Sequence, residues 1–134
     1  MARRYLLDTN IFIAAMKGQA AVRQHLERTP LAALWLSPIV LAELELGVAK
    51  SQQRDKNAER LARITSSIEL APIGAAVCRH YAGIRADLER KGTPIGANDY
   101  WIAAQARALG AVLVTDNVSE FSRVPELVIK NWLT

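Results

Sequence analysis

Short apolar runs at residues 4–7, 34–36, 68–71, 111–115 and 127–130 are separated along this chain by longer stretches whose apolar residues recur every three or four positions. Such runs, bounded by turn-forming residues, predict buried strands, and the stretches between them predict amphipathic helices. Helical spacing covers 11–16 and 20–28, with Gly18 as the break between them. Ser37-Pro38 supplies a capping hydroxyl followed by proline at the first helical position, and starts a helix that runs to about Lys50. A polar, charged helix is predicted over 53–66, and a long amphipathic one over 75–91, ended by Gly92. Another is predicted over 99–109, terminated by Gly110. Strands alternating with helices predict an α/β fold with a mainly parallel sheet, and neither a repeat nor a linker divides residues 1–134 into more than one domain.

A parallel sheet gives certain positions meaning, because ligands bind beyond the carboxyl ends of its strands. Asp8 ends the first apolar run and Asp116 follows Val-Leu-Val-Thr. Asp99 opens the late helix, where a carboxylate complements the helix dipole. In Ser-Pro-Ile-Val-Leu-Ala-Glu-Leu-Glu-Leu-Gly, a wheel at 100° per residue groups Val40, Leu44 and Val48 on one face. Glu43 and Glu45 lie on opposite flanks of that face, and periodicity does not choose between them. Gly47, four positions after Glu43, leaves room for a close approach and slightly favours Glu43.

Each acidic residue has a local explanation as a cap, a turn or a solvated charge. Chemistry arises only if they converge. Two carboxylates about 5 Å apart repel by about 3 kcal/mol at an effective dielectric of about 20, so a cluster must take up protons or a hard cation. An all-oxygen donor set favours Mg²⁺ or Mn²⁺. One or two such ions would suit phosphodiester hydrolysis, with no need of His25 or His80, which fall within helices.

Composition narrows the setting. The profile, 51% hydrophobic and 22% charged, is that of a globular protein. No apolar run approaches the roughly 20 residues of a membrane span. The first run stops at Asp8, too early for a signal-peptide core, so a cytoplasmic location without membrane attachment is expected. The single cysteine, Cys78, reads as a small buried hydrophobe in a reducing compartment. A net charge of +4 and a pI near 9.6 suggest, weakly, an anionic partner.

Four motifs in order, LLDTN, LAELELG, PIGANDYWIAAQA and VLVTDNVSEF, resemble those of the PIN-domain ribonucleases, and within them the VapC toxins of bacterial toxin–antitoxin pairs. The resemblance spans nearly the whole chain. It implies an α/β/α sandwich around a five-stranded parallel sheet and Mg²⁺- or Mn²⁺-dependent cleavage of RNA. It also implies a homodimer, a cognate antitoxin, and contact with DNA only indirectly, through that antitoxin. By the same resemblance Asp8, Glu43, Asp99 and Asp116 form the catalytic, metal-holding set, while Glu45 is structural. Asp116 matches the more variable fourth position. Thr9, Asn10, Thr115 and Asn117 would orient the carboxylates. Glu120, four residues beyond Asp116, is placed to contribute through a water, but reads preferably as a loop charge before Phe121.

Arg85, Arg90 and Lys91, on or just after the long helix that leads into the Asp99 loop, are the expected substrate contacts. As a group they would bind phosphate in a salt-sensitive way. An aromatic content of only 6% favours recognition of RNA by shape over an extended stacking platform. A haloacid-dehalogenase-like phosphatase also begins with an aspartate after its first strand, but needs a second one where this chain has Asn10. The competing non-enzymatic reading is a PIN-like interaction module that binds an antitoxin-like partner and regulates through DNA.

Overall fold

A computed structural model of the chain describes residues 3–134. Its strands are β1 (Tyr5–Leu7), β2 (Leu34–Leu36), β3 (Glu69–Leu70), β4 (Val112–Val114) and β5 (Ile129–Lys130). All pair in parallel, in the order β3-β2-β1-β4-β5. The helices are α1 (Thr9–Met16), α2 (Ala20–Arg28), α3 (Pro38–Ala49), α4 (Arg54–Thr65), α5 (Ala75–Arg90), α6 (Ala97–Leu109) and the short α7 (Val118–Phe121). They cover the sheet in an α/β/α arrangement, with α5 packed along α6, and α3 against α1 and α4.

Because parallel strands need crossovers, the order of the sheet dictates where the chain opens. It leaves β1 toward β2 and β3, then returns across the sheet to β4 and β5 on the other side of β1. The carboxyl ends of β1 and β4 therefore flank a topological switch point, the usual place for a site in an open α/β sheet. α6 runs into β4 and so brings its amino terminus to the same edge.

The central strands are buried on both faces. Leu6, Leu113 and Val114 have no exposed surface, and Ile11, Val22, Val40, Leu88, Ile102 and Phe121 close over them from the helices. The alanines Ala103, Ala104 and Ala106 let α6 lie close to its neighbours. Its end is set by Gly110, whose φ of +67° is open to glycine at little cost, and whose N–H reaches the carbonyls of Ala106 and Arg107.

The predicted strands and helices all occur, with shorter paired segments at the outer runs and a start at Ala97 for the helix expected from 99. A 3-10 turn at Leu31–Ala33 and helix α7 are additional. Both are too short to carry a periodic signal. Cys78 departs from expectation: it is exposed. The inward stripe of α5 is Val77, Ile84 and Leu88, and Cys78 stands about 100° around the helix from Val77, facing away.

One buried polar side chain ties the layers together. Gln105, 1% exposed, donates from Nε2 to the Ala71 carbonyl at 3.2 Å and accepts from the Ser37 hydroxyl. Ser37 Oγ in turn caps α3 by accepting from the N–H groups of Ile39 (3.0 Å) and Val40 (3.4 Å). Replacing Gln105 by Leu, similar in volume, strands both partners in the interior and should destabilise the fold by about 2 to 4 kcal/mol, read from the urea midpoint. A loss below about 1 kcal/mol would show that the cap and the β3 end do not depend on this side chain.

Candidate active site

Asp8 follows β1 directly, and its N–H extends the β1–β4 ladder by donating to the Val114 carbonyl at 2.9 Å. The register pairs Leu7 with Val114, so Asp8 comes to lie beside Thr115. The Thr115 hydroxyl, itself buried, donates to Asp8 Oδ2 at 2.8 Å. The Thr9 N–H donates to Oδ1 at 2.8 Å, and Asn10 Nδ2 to Oδ2 at 3.3 Å. Three donors thus fix a carboxylate that is only 5% exposed.

Thr9 also donates from its hydroxyl to Glu43 Oε1 at 2.8 Å, joining the first turn of α1 to the second turn of α3. This bond ties Glu43, and not Glu45, to the turn that carries Asp8. Val40 and Leu44 are buried, Glu43 looks into the site from their flank, and Glu45 points to solvent.

Asp99 stands half-buried in the first turn of α6. Its carboxylate folds back over Gly96, where a Cβ would meet Oδ2 at 3.3 Å. Burial, and then the negative charges of Asp8, Glu120 and Glu43, push its pKa from an ordinary 3.8 up to about 6. Asp8 is also raised, by burial, against the bonds from Thr115 and Thr9 that favour its ionised form; Glu43 adds to the rise.

With Asp8, Glu43 and Asp99, the fourth carboxylate of the group is Glu120, which lies on a helix and not in the loop preferred from sequence. It rides on α7, pinned by the fully buried Phe121, and accepts from Asn117 Nδ2 at 2.7 Å. Asn117 is held in turn by its own N–H donating to Thr115 Oγ1 at 3.0 Å. Asn117 and Glu120 are spaced as in a capping box, the one local signal that links them. Asp116 is exposed, and it is its backbone N–H that faces inward, donating to Asn10 Oδ1 at 3.3 Å.

Among the described residues none of Asp8, Glu43, Asp99 and Glu120 pairs with a lysine, arginine or histidine. Nor are three or more of the chain's His, Cys, Asp or Glu side chains drawn into a ready-made ion cage among those residues. Residues 5–127 match the sequence profile of the PIN domain. The chain belongs to the PIN-domain family. It is 40% identical over 130 residues to ribonuclease VapC2 of Rickettsia felis, covering 96% of this chain and 97% of that one. It is 36% identical to the tRNA(fMet)-specific endonuclease VapC of Shigella flexneri, over 96% and 98% of the two chains. A crystal structure of VapBC2 from R. felis, bound to a DNA fragment from their promoter, contains a chain that superposes with a TM-score of 0.88 at 40% identity, over 96% of this chain and 98% of that one.

The cations expected to serve this PIN domain's substrate are placed differently from its carboxylates. Arg85 is engaged by Glu89 at 3.0 Å and by the Tyr81 hydroxyl, and lies over the Tyr100 ring at 5.1 Å. Lys91 pairs with Asp87 at 3.0 Å, and Arg90 is exposed. His25 stacks on Trp132 with ring centroids 5.0 Å apart, a packing role.

The raised Asp99 has a signed consequence. Below pH about 4 both folded and unfolded chains hold its proton; between about 4 and 6 only the folded chain does, so stability falls as pH rises, and by pH 7 that contribution is gone. In chelator-treated buffer the Asp99→Asn variant should lack this part of the slope and melt above the parent at pH 7.5. Melting curves across pH 4 to 8 test this, and an unaltered slope would place the titration on other groups.

Proposed function

We propose that this chain is a divalent-metal-dependent endoribonuclease acting as the toxin of a toxin–antitoxin pair. The observation that carries the reading is a carboxylate cluster, Asp8, Glu43, Asp99 and Glu120, in which burial and then the charges of the other three raise Asp99 to about 6, and which pairs with no cation among the described residues. The relatives' names, ribonuclease and endonuclease, supply the substrate class.

The donor set suits a hard cation in kind: it is all oxygen and in excess negative charge, and Mg²⁺ or Mn²⁺ completes its shell with waters and phosphate oxygens. Asp8, Glu43 and Asp99 would hold one or two such ions, with Glu120 opposite Asp99 and Asp116 at the rim. The ion, when bound, lowers the pKa of water and offsets charge developing on the phosphate. The chain's own contribution is preorganisation. Thr9 orients Asp8 and Glu43 together, Asn10 and Thr115 fix the second oxygen of Asp8, and Asn117 aims Glu120. Burial of Asp8 keeps bulk water from screening these charges.

The solved complex with a partner and promoter DNA supports an antitoxin as the protein partner, with DNA reached through it. Homodimerisation and a cytoplasmic setting belong to the same reading; among the described residues no helix is long and apolar enough to cross a membrane.

Purified protein should cleave RNA with Mg²⁺ or Mn²⁺ and stop when the ion is chelated. Asp8→Asn and Asp99→Asn should each lower the rate at least about a hundredfold while the fold melts cooperatively. Glu120→Gln should cost more activity than Asp116→Asn; the reverse order would return the fourth position to Asp116. A non-catalytic interaction module would instead bind its partner with no response to metal or to Asp8→Asn.

A further inference from the structure

Two cavities adjoin beside Glu43. The first, about 370 Å³, has an aliphatic wall of Ile13, Met16, Leu44 and Val48, with Glu43 and Asn57 also lining it. The second, about 490 Å³, is lined by Lys17, Arg23, Arg60 and Arg63 and by no acidic residue. Met16, Lys17 and Arg60 belong to both, so the two form one trough that includes a carboxylate of the active site.

The cations are gathered by the local fold. Lys17 caps the end of α1. Gly18, at φ +79°, reverses the chain into α2, and the Arg23 guanidinium lies 3.8 to 3.9 Å from where a side chain at Gly18 would begin. Leu61, buried, pins α4 so that Arg60 and Arg63 flank it. Arg63 pairs with Glu59 at 2.8 Å, but among the described residues Lys17, Arg23 and Arg60 form no ion pair. Like charges crowded around a cavity repel, and the core does not need them there. Their arrangement answers to an anion.

We propose that this trough is the path of the RNA strand next to the scissile phosphate: one nucleotide rests on the aliphatic wall of the first cavity, and Lys17, Arg23 and Arg60 hold the backbone phosphates beyond it. The proposal rests on the ribonuclease reading above. Two observations favour RNA over an acidic protein segment. The trough joins the carboxylate cluster, where a scissile phosphate must sit, and it pairs an apolar wall with cations, as alternating bases and phosphates require. Of the cations expected from sequence, Arg85 and Lys91 are already held by Glu89 and Asp87, while Arg90 is exposed at the end of α5 and lines neither cavity.

The test uses the full chain carrying Asp8→Asn, so that RNA stays intact, and compares it with the same protein bearing Lys17→Gln, Arg23→Gln and Arg60→Gln. A fluorescent single-stranded RNA is titrated at several salt concentrations. Losing three phosphate contacts should weaken binding at least about tenfold near 0.1 M salt and flatten the slope of log affinity against log salt by about 2. Removing Arg79, on the exposed surface of α5, should change the slope by less than about 0.5. In the otherwise native enzyme the three substitutions should lower kcat/KM about tenfold through KM.

Unchanged RNA affinity and slope would overturn the proposal, as would a triple variant that loses a polyglutamate peptide but not RNA. Should the triple variant fail to fold, each single substitution is expected to flatten the slope by about 0.7. If the native enzyme binds RNA through these cations but cleaves none, the nuclease reading falls and the binding path stands.

Discussion

Carboxylates that repel one another at the carboxyl edge of the sheet are the constraint around which this protein is arranged. A folded chain does not gain stability by bringing Asp8, Glu43, Asp99 and Glu120 together; burial, and then the charges of the other three, raise Asp99. The arrangement persists because each side chain sits on an element fixed by something else. Asp8 is held by the central strand pair, Glu43 by the buried face of α3, Asp99 by the first turn of α6, and Glu120 by Phe121 beneath α7. Apolar burial of order 25 cal/mol per Å² over the core supplies the stability from which such a site can be subtracted.

Hydrogen bonding then converts crowding into order. Thr9, Asn10, Thr115 and Asn117 all direct donors at or around the carboxylates, and none directs a full charge. Neutral donors hold the oxygens in place without cancelling their charge, which an ion pair with lysine or arginine would do. A site intended for a cation is better served by amides and hydroxyls than by a resident guanidinium.

Most of the architecture was legible in the sequence because the deciding signals are periodic or local. The apolar runs mark the strands, Ser37-Pro38 marks the start of α3, and Gly110 marks the end of α6. Asp8 and Asp99 were legible because they sit at a strand end and a helix start. What sequence left open was settled by single tertiary contacts: the bond from Thr9 that selects Glu43 over Glu45, and the packing of Phe121 that carries Glu120 inward. A four-residue helix has no repeat to read, so α7 and its glutamate looked like loop. Cys78 was misplaced for a related reason. Its neighbours are apolar, but the face of α5 that is buried is fixed by Ile84 and Leu88, farther along the helix.

The same repulsion raises a problem of approach, since a polyanion must come to rest against a cluster of its own sign. A metal neutralises the contact point but not the rest of the strand. The surplus of positive charge in this chain, +4 overall, is not spread evenly enough to be mere solubilising charge: Lys17, Arg23 and Arg60 stand around one cavity, and Lys17 and Arg60 also line the adjoining one that borders Glu43. Electrostatic attraction falls off over about 8 Å at physiological salt, so cations bordering the acidic site act on the incoming strand within that range while remote ones are screened. Among the described residues those three side chains make no ion pair with the acids, so their field remains available to an anionic ligand. On the reading proposed above, a separated arrangement of this kind, acids inward on neutral donors and bases alongside, would let one small domain hold a cation and a polyanion at the same place.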